Sequence, residues 1–226
     1  MKYCLYCGCI IRDNMNFSNV FKSSEGLLCD ECLSRLERVK NGCIRCGKKT
    51  TEVICGDCLK WESNENTKMF NIINYSLFYY NDFAKSMLKQ VKFLGDTKLL
   101  LAFKKEIQWY FKKKKFNNLY LVPVPLHENR LNERGFNQSL FLAKLMPFPI
   151  LDILNKVNNE KQSKKRRSER ILFDNQYCLK EDINLINKNI MIVDDIYTTG
   201  ATVHKIGRLL FEKNVKKMIS FTLFRS

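Results

Sequence analysis

Residues 189–203 read NIMIVDDIYTTGATV, and no other stretch restricts the possible folds of this chain as tightly. Ile190, Met191, Ile192 and Val193 form an apolar run with the length and branching of a buried parallel strand. Two adjacent carboxylates, Asp194 and Asp195, follow. A small, hydroxyl-rich loop (Thr198, Thr199, Gly200, Ala201, Thr202) then runs into a helical pattern at Val203, Ile206, Leu209 and Leu210. A strand that ends in such a loop and a helix start is an anion site. Free backbone N–H groups and the helix dipole converge there, hydroxyls add donors, and Gly200 admits a close backbone approach. The carboxylates, acceptors at neutral pH, suit sugar hydroxyls beside a phosphate. A ribose 5-phosphate fits both halves.

The stretch resembles the phosphoribosyl-pyrophosphate (PRPP) motif of type I phosphoribosyltransferases: apolar strand, acidic pair, Thr-Thr-Gly-x-Thr loop. The resemblance implies that Asp194 and Asp195 face the ribose 2′ and 3′ hydroxyls. It places Thr198 to Thr202 around the 5-phosphate, with Mg accompanying any bound PRPP. Two other readings cover parts of the pattern. A receiver-type acidic pair belongs near a domain's N-terminus and lacks the phosphate loop. A plain strand–turn–helix with capping threonines leaves the acidic pair unexplained.

At 226 residues, 45% of them hydrophobic, the chain fits one ordinary domain plus a small one. It has no run of about 18 apolar residues and no apolar signal-peptide core behind MKYCLYCGC, so no membrane insertion and a cytoplasmic location are expected. The net charge of +16 is uneven: 10 basic against 9 acidic residues over 1–66, 29 against 14 over 67–226. Such asymmetry suits contact with a polyanion, although lysines also solvate surfaces without further purpose.

Four Cys-x-x-Cys pairs occupy the first quarter: Cys4/Cys7, Cys29/Cys32, Cys43/Cys46 and Cys55/Cys58. Two intervening residues let both sulfurs reach one tetrahedral ion, and two such knuckles complete a Cys4 zinc site. Pairing in sequence order gives two structural zinc ions; Cys9 stands as an alternative to Cys7. Disulfides suit an oxidising compartment, and redox catalysis needs no fourfold repetition. Eight thiolates and two zinc ions would bring the formal +16 down to +12 and leave the N-terminal module acidic. That module therefore reads as a docking or stabilising ribbon, its folding driven largely by metal ligation.

The polar Ser63–Lys68 segment reads as a linker. Strands or a hairpin are expected over Phe70–Tyr80, and helices over Phe83–Phe93 and Lys98–Phe111, the latter capped by Lys112–Lys115 at its negative dipole end. Leu119–Val124 is a second apolar strand, followed by a helix from about Phe136. Arginines beside a Gly-opened helix start make a second anion site. The stretch VPVPLHENRLNERGFNQS is similar to the signature of the ComF competence family, in which a zinc ribbon precedes a phosphoribosyltransferase fold. By that resemblance Val124, Pro125, Leu126, Arg130 and Arg134 form the pyrophosphate loop. Pro147–Val157 suggests a third strand and Lys217–Phe224 a last one. Between them KQSKKRRSER is very basic and free of apolar residues. The resemblance makes it a loop that closes over PRPP, with Gln162 and Arg170 matched and the usual Thr before the Gln missing.

The expected architecture is α/β: a doubly wound parallel sheet of the type I phosphoribosyltransferase kind over 67–226, preceded by a double zinc ribbon over 1–66. The resemblance implies a competence protein that handles single-stranded DNA in natural transformation beside a helicase-like ATPase. Lys164, Lys165, Arg166, Arg167 and Arg170 are the DNA-binding cluster, with Phe136 and Tyr197 available for base stacking. An active transferase joining a base or amine to PRPP, and a module that binds PRPP without turnover, are the alternatives. The only stretch that could form a hood over a base is Tyr75–Tyr80.

Overall fold

In the computed structural model, which describes residues 2–11, 27–93, 95–114, 116–156, 176–180 and 183–226, the chain opens with the cysteine-rich module. That module comprises a short antiparallel pair, β1 (Lys2–Tyr3) and β2 (Ile10–Ile11), and helices α1 (Asp30–Ser34) and α2 (Gly56–Ser63). The rest alternates. Strand β3 (Ile73–Tyr79) leads to α3 (Asp82–Phe93), α4 (Thr97–Leu101) and α5 (Lys104–Lys114). Then come β4 (Leu119–Pro123), α6 (Glu128–Arg134), α7 (Gln138–Lys144) and a small antiparallel pair, β5 (Leu154–Lys156) and β6 (Tyr177–Leu179). The chain closes with β7 (Asn189–Tyr197), α8 (Ala201–Phe211) and β8 (Lys217–Arg225).

The central sheet is wholly parallel, in the order β3-β8-β7-β4. Beyond β4 the chain at Ile150 bridges Leu121 in parallel, with Leu121 N–H donating to Pro149 O and Leu151 N–H to Leu121 O, both at 2.8 Å. Ile190, Met191, Ile192 and Val193 are fully buried because both faces of β7 are covered. Met191 and Val193 pack with Leu142 and Ala143 of α7 on one face. Ile190 and Ile192 pack with Val203, Ile206 and Leu210 of α8 on the other. This double cover is why the strand reads as a continuous apolar run rather than an alternating one.

From β4 the chain travels outward to Ile150; from β7 it crosses through α8 to β8, on the opposite side. The strand order therefore reverses between β4 and β7. The carboxyl ends of two strands at such a reversal are the place where doubly wound sheets take ligands.

Three local expectations need correction. The helix read over Lys98–Phe111 is broken into α4 and α5. The break lets the ring of Phe103, 1% exposed, pack against Phe78 and Phe224 at centroid distances of 5.9 and 5.8 Å. Burial of an aromatic side chain outweighs an uninterrupted helix here. The loop after β4 contains α6, capped by His127, whose Nδ1 accepts from the Asn129 N–H at 3.2 Å, and closed by Gly135 at φ 72°. Finally, Ser63–Lys68 is a packed turn. Thr67 is buried and its hydroxyl donates to Trp61 O at 2.6 Å, while Arg208 donates to Asn66 Oδ1 at 2.6 Å.

The cysteine-rich module lies against the sheet. Tyr79 N–H donates to Glu37 O at 2.7 Å and Val39 N–H to Leu77 O at 3.0 Å, so the 37–39 segment covers part of the open edge of β3. Among the described residues no helix is long and apolar enough to cross a membrane.

Candidate functional site

The cysteines gather into two tetrads, Cys4/Cys7/Cys29/Cys32 and Cys43/Cys46/Cys55/Cys58, with the sulfurs of each within 4.8 Å of one another. Four ligands about 2.3 Å from a tetrahedral ion lie roughly 3.8 Å apart. The observed Sγ–Sγ separations are 3.7 Å for Cys43–Cys58, 3.6 Å for Cys46–Cys55 and 3.7 Å for Cys7–Cys29. Backbone N–H groups already point at sulfur, Cys55 to Cys43 at 3.3 Å and Cys32 to Cys29 at 3.4 Å, as thiolate ligands require. Both tetrads fit a tetrahedral metal ion and are consistent with a zinc ribbon. Cys9 stays at the rim of the first, 3.3 Å from Cys7 Sγ.

The second tetrad reaches the 198–202 loop through Arg225, which is 1% exposed. Its Nη2 donates to Cys46 Sγ at 3.1 Å; its Nη1 donates to Tyr197 O at 3.0 Å and Thr198 O at 2.9 Å. Trp61, from α2, donates through Nε1 to Thr199 O at 2.7 Å and stacks on His204 with 4.3 Å between centroids. His204 donates from Nδ1 to Gly200 O at 3.0 Å; burial lowers its pKa and keeps the ring neutral. Four consecutive carbonyls, 197 to 200, are thus held from the ribbon side of the loop. Gly200 has φ 87°, and a Cβ there would stand 2.3 Å from the Tyr197 hydroxyl, so only glycine fits. Gly200 also provides no side-chain cap for α8, and Thr198 and Thr199 are exposed at its N-terminal end. An oxyanion placed there meets hydroxyls, N–H groups and the positive end of an 11-residue helix.

The acidic pair divides its partners. Asp194 accepts from the Ser139 hydroxyl and from the Asp195 N–H, each at 2.9 Å. Asp195 pairs with Lys92 of α3 at 2.5 Å. Loss of solvent, and then the neighbouring Asp195 charge, push the Asp194 carboxyl up to about 7. Lys156 of β5 is pulled down by burial and then by Arg130, which places it in the same electrostatic environment, with Asp194 and Lys205 also acting on it. Its Nζ lies 5.4 Å from the Tyr177 ring centre, and Tyr177 bonds the Thr202 side chain. Lys92, Lys156, Tyr177, Ser139, Trp61, His204 and Arg225 thus join a site whose sequence signature was confined to 194–202.

The raised Asp194 pKa has a thermodynamic consequence. Its folded value lies above the ordinary carboxylate value, so the native protein binds the proton more tightly than the unfolded chain. The stability tied to that proton is present at low pH and is lost as pH rises through about 7. Asp194→Asn, which copies the neutral carboxyl, should therefore be more stable than the parent at about pH 8, by roughly 1–3 kcal/mol once the solvent-facing edge is allowed for. The advantage should fade as pH falls below 7. Thermal melts of both proteins across that range check it.

In the segment after β4, Val124 is buried and accepts through its carbonyl from Asn137 Nδ2 at 3.0 Å. Asn137 caps α7, its Oδ1 accepting from the Ser139 and Leu140 N–H groups at 2.9 and 3.3 Å. Pro125 and Leu126 are half-buried at the end of β4, Arg130 is exposed on α6, and Arg134 reaches Gln138 at 3.5 Å. Two stacking and hood expectations are corrected. Tyr197 is 3% exposed, packed under Gly200 and 5.1 Å from the Arg225 guanidinium, and offers no face to a base. Tyr75–Tyr80 supplies most of the edge strand β3 rather than a hood, because its alternate side chains are drawn to both faces of the sheet. Lys164, Lys165, Arg166, Arg167, Arg170 and Gln162 lie outside the described residues.

A model of the phosphoribosyl transferase domain matches residues 135–226, which include the acidic pair and the whole 198–202 loop. Competence protein ComFC of Bacillus subtilis is 35% identical over 228 residues, covering 99% of this chain and 95% of that one. Competence protein ComFC of Streptococcus pneumoniae is 32% identical over 225 residues, with 98% and 99% covered. Among solved structures, a hypoxanthine-guanine phosphoribosyltransferase of Bacillus anthracis aligns with a TM-score of 0.36 and 17% identity, over 56% of this chain and 68% of that one. The end-to-end match to two ComFC proteins agrees with the order found here, cysteine tetrads first and phosphoribosyltransferase-like sheet second: this chain belongs to the ComFC family of competence proteins.

Proposed function

We propose that the protein binds PRPP or another ribose 5-phosphate ligand in the crevice between β4 and β7, and that it serves single-stranded DNA handling in natural transformation. The observation that carries the ligand class is the phosphate loop held by its carbonyls from behind, with an acidic pair at one end and Lys156 and Arg130 nearby. On this reading the N–H groups and the hydroxyls of Thr198, Thr199 and Thr202 take the 5-phosphate. Asp194 and Asp195 accept from ribose hydroxyls, Asp195 giving up Lys92 as it does so. Val124 to Leu126, with Arg130 and Arg134, hold the pyrophosphate, and Mg neutralises it when PRPP is the ligand. Two structural zinc ions fill the tetrads. Residues 1–66 act as a supporting module for 67–226, and the basic 164–170 segment contributes DNA phosphate contacts. A helicase-like competence ATPase and a cytoplasmic location complete the reading.

A second reading, an active transferase, is favoured by one group. A carboxyl that titrates near neutrality, as Asp194 does, can take a proton from an amine or base acceptor. Incubation with Mg-PRPP, with and without candidate bases, amines and single-stranded DNA, separates the two. Acceptor-dependent pyrophosphate release selects the enzyme; ligand and DNA binding without release selects the competence module.

The zinc assignment has its own test. Protein purified without chelators should contain two zinc ions per chain, and Cys43→Ser should lose one of them. One ion or none in the parent contradicts it.

A further inference from the structure

A second cationic surface lies at the opposite end of the sheet from the phosphate loop. Between the segment that joins the two tetrads (38–44) and α5 runs a groove of about 850 Å³ along the amino-terminal half of β3. Tyr75 and Tyr110 form its wall, and Trp109 stands at its lip, 56% exposed. The lining includes the cations Arg38, Lys40, Lys113 and Lys114 and no carboxylate. Glu106, just outside, engages Arg38.

Rings and cations alternate. Lys113 Nζ lies 5.1 Å from the Trp109 ring centre, and Lys114 Nζ lies 5.6 Å from that of Tyr75 and 5.9 Å from that of Tyr110. The Arg38 guanidinium is 6.0 Å from Trp109. The dipole of α5 accounts for lysines in its last turn. It does not account for an exposed tryptophan one turn earlier, nor for a tyrosine on the facing strand. An acidic peptide would use the cations and leave the rings idle, and a duplex hides the faces of its bases. An unpaired strand uses both, its phosphates tracking the cations while its bases stack on aromatic rings.

We propose that this groove binds single-stranded nucleic acid, with bases stacked on Trp109 and Tyr75 and phosphates against Lys113, Lys114 and Arg38. The proposal rests on the nucleic-acid half of the functional reading and adds a track separate from the phosphate loop. Lys113 and Lys114, which read as a helix cap in the sequence, gain a second role.

Fluorescence anisotropy of a labelled thymidine oligonucleotide, measured across a salt series, tests it. Trp109→Ala should weaken binding roughly tenfold, and Trp109→Phe should restore most of the loss, because a ring is what the base needs. Lys113→Gln with Lys114→Gln should flatten the log–log salt slope by about 0.7 per phosphate contact removed. Saturating ribose 5-phosphate should displace nothing. If the groove variants bind like the parent while neutralising Lys164, Lys165, Arg166 and Arg167 abolishes binding, the groove is overturned and the nucleic-acid reading survives. If both basic sets cost the same and Trp109→Ala costs nothing, binding is diffuse electrostatics and the groove is again wrong. A parent that fails to bind at low salt overturns both.

Discussion

Arg225→Met is expected to destabilise the protein by about 3–5 kcal/mol, the cost of breaking a buried charged pair on one side. The arginine is 1% exposed, and its guanidinium spans a sulfur of the second tetrad and two carbonyls of the phosphate loop. Methionine fills a similar volume but donates to none of the three acceptors; of these, Tyr197 O keeps the Ser226 N–H at 3.0 Å. The Cys46 thiolate loses a cationic neighbour, and the Tyr197 and Thr198 carbonyls each lose a charged donor. Arg225→Lys should rescue little, since one ammonium cannot reproduce a planar fork aimed at acceptors on two sides. Urea unfolding gives the stability change. Calorimetry with ribose 5-phosphate, under conditions where the variant remains folded, should show weakened binding as well. A variant within about 1 kcal/mol of the parent, and with its affinity, would mean that the tetrad and the loop are merely adjacent.

The link through Arg225 gives the ribbon a purpose that its own composition does not announce. A small cysteine-rich module has too little core to fold alone without metal or partner surface. Here it also backs the 197–200 loop, which begins more than a hundred residues later in the chain. Trp61 and Arg225 approach the loop from opposite ends of the sequence and hold adjacent carbonyls.

What could be read in advance follows from locality. The strand, acidic pair and loop at 190–202 are contiguous, and each part uses short-range rules: apolar continuity, glycine at a tight approach, a helix start. The tetrads were equally accessible because Cys-x-x-Cys spacing is itself the geometry of a metal knuckle. Lys92, Lys156 and Tyr177 were invisible, since a lysine within an amphipathic helix or a short strand looks like any solvated charge until packing brings it to a carboxylate or a hydroxyl. Arg225, next to the C-terminal serine, looks like a polar strand end. The break between α4 and α5 has no local signal, because Phe103 obeys a tertiary demand, the space between Phe78 and Phe224, against a helical pattern that runs through it. For Lys112–Lys115 the helix dipole is a sufficient local cause, and only the fold places Trp109 and Tyr75 beside two of those lysines.

The acidic pair is where the ligand assignment is most exposed to test. Replacing Asp194 and Asp195 by asparagine should weaken a ribose 5-phosphate ligand by roughly 1.5–3 kcal/mol per carboxylate, the usual worth of a hydrogen bond to a charged acceptor. Two opposing effects act on that figure. Asp194→Asn removes a carboxyl whose ionisation costs stability, and Asp195→Asn frees Lys92 to approach the phosphates. Neither recreates a charged acceptor for sugar hydroxyls. The sheet itself should persist, because Ile190 to Val193 keep their cover on both faces. Titration calorimetry of Mg-PRPP into the parent and the double variant is the direct measurement. The account predicts a saturable heat with the parent and a loss of roughly a hundredfold or more in affinity with the variant. Equal affinities, or no heat from a folded, metal-replete parent, would contradict it.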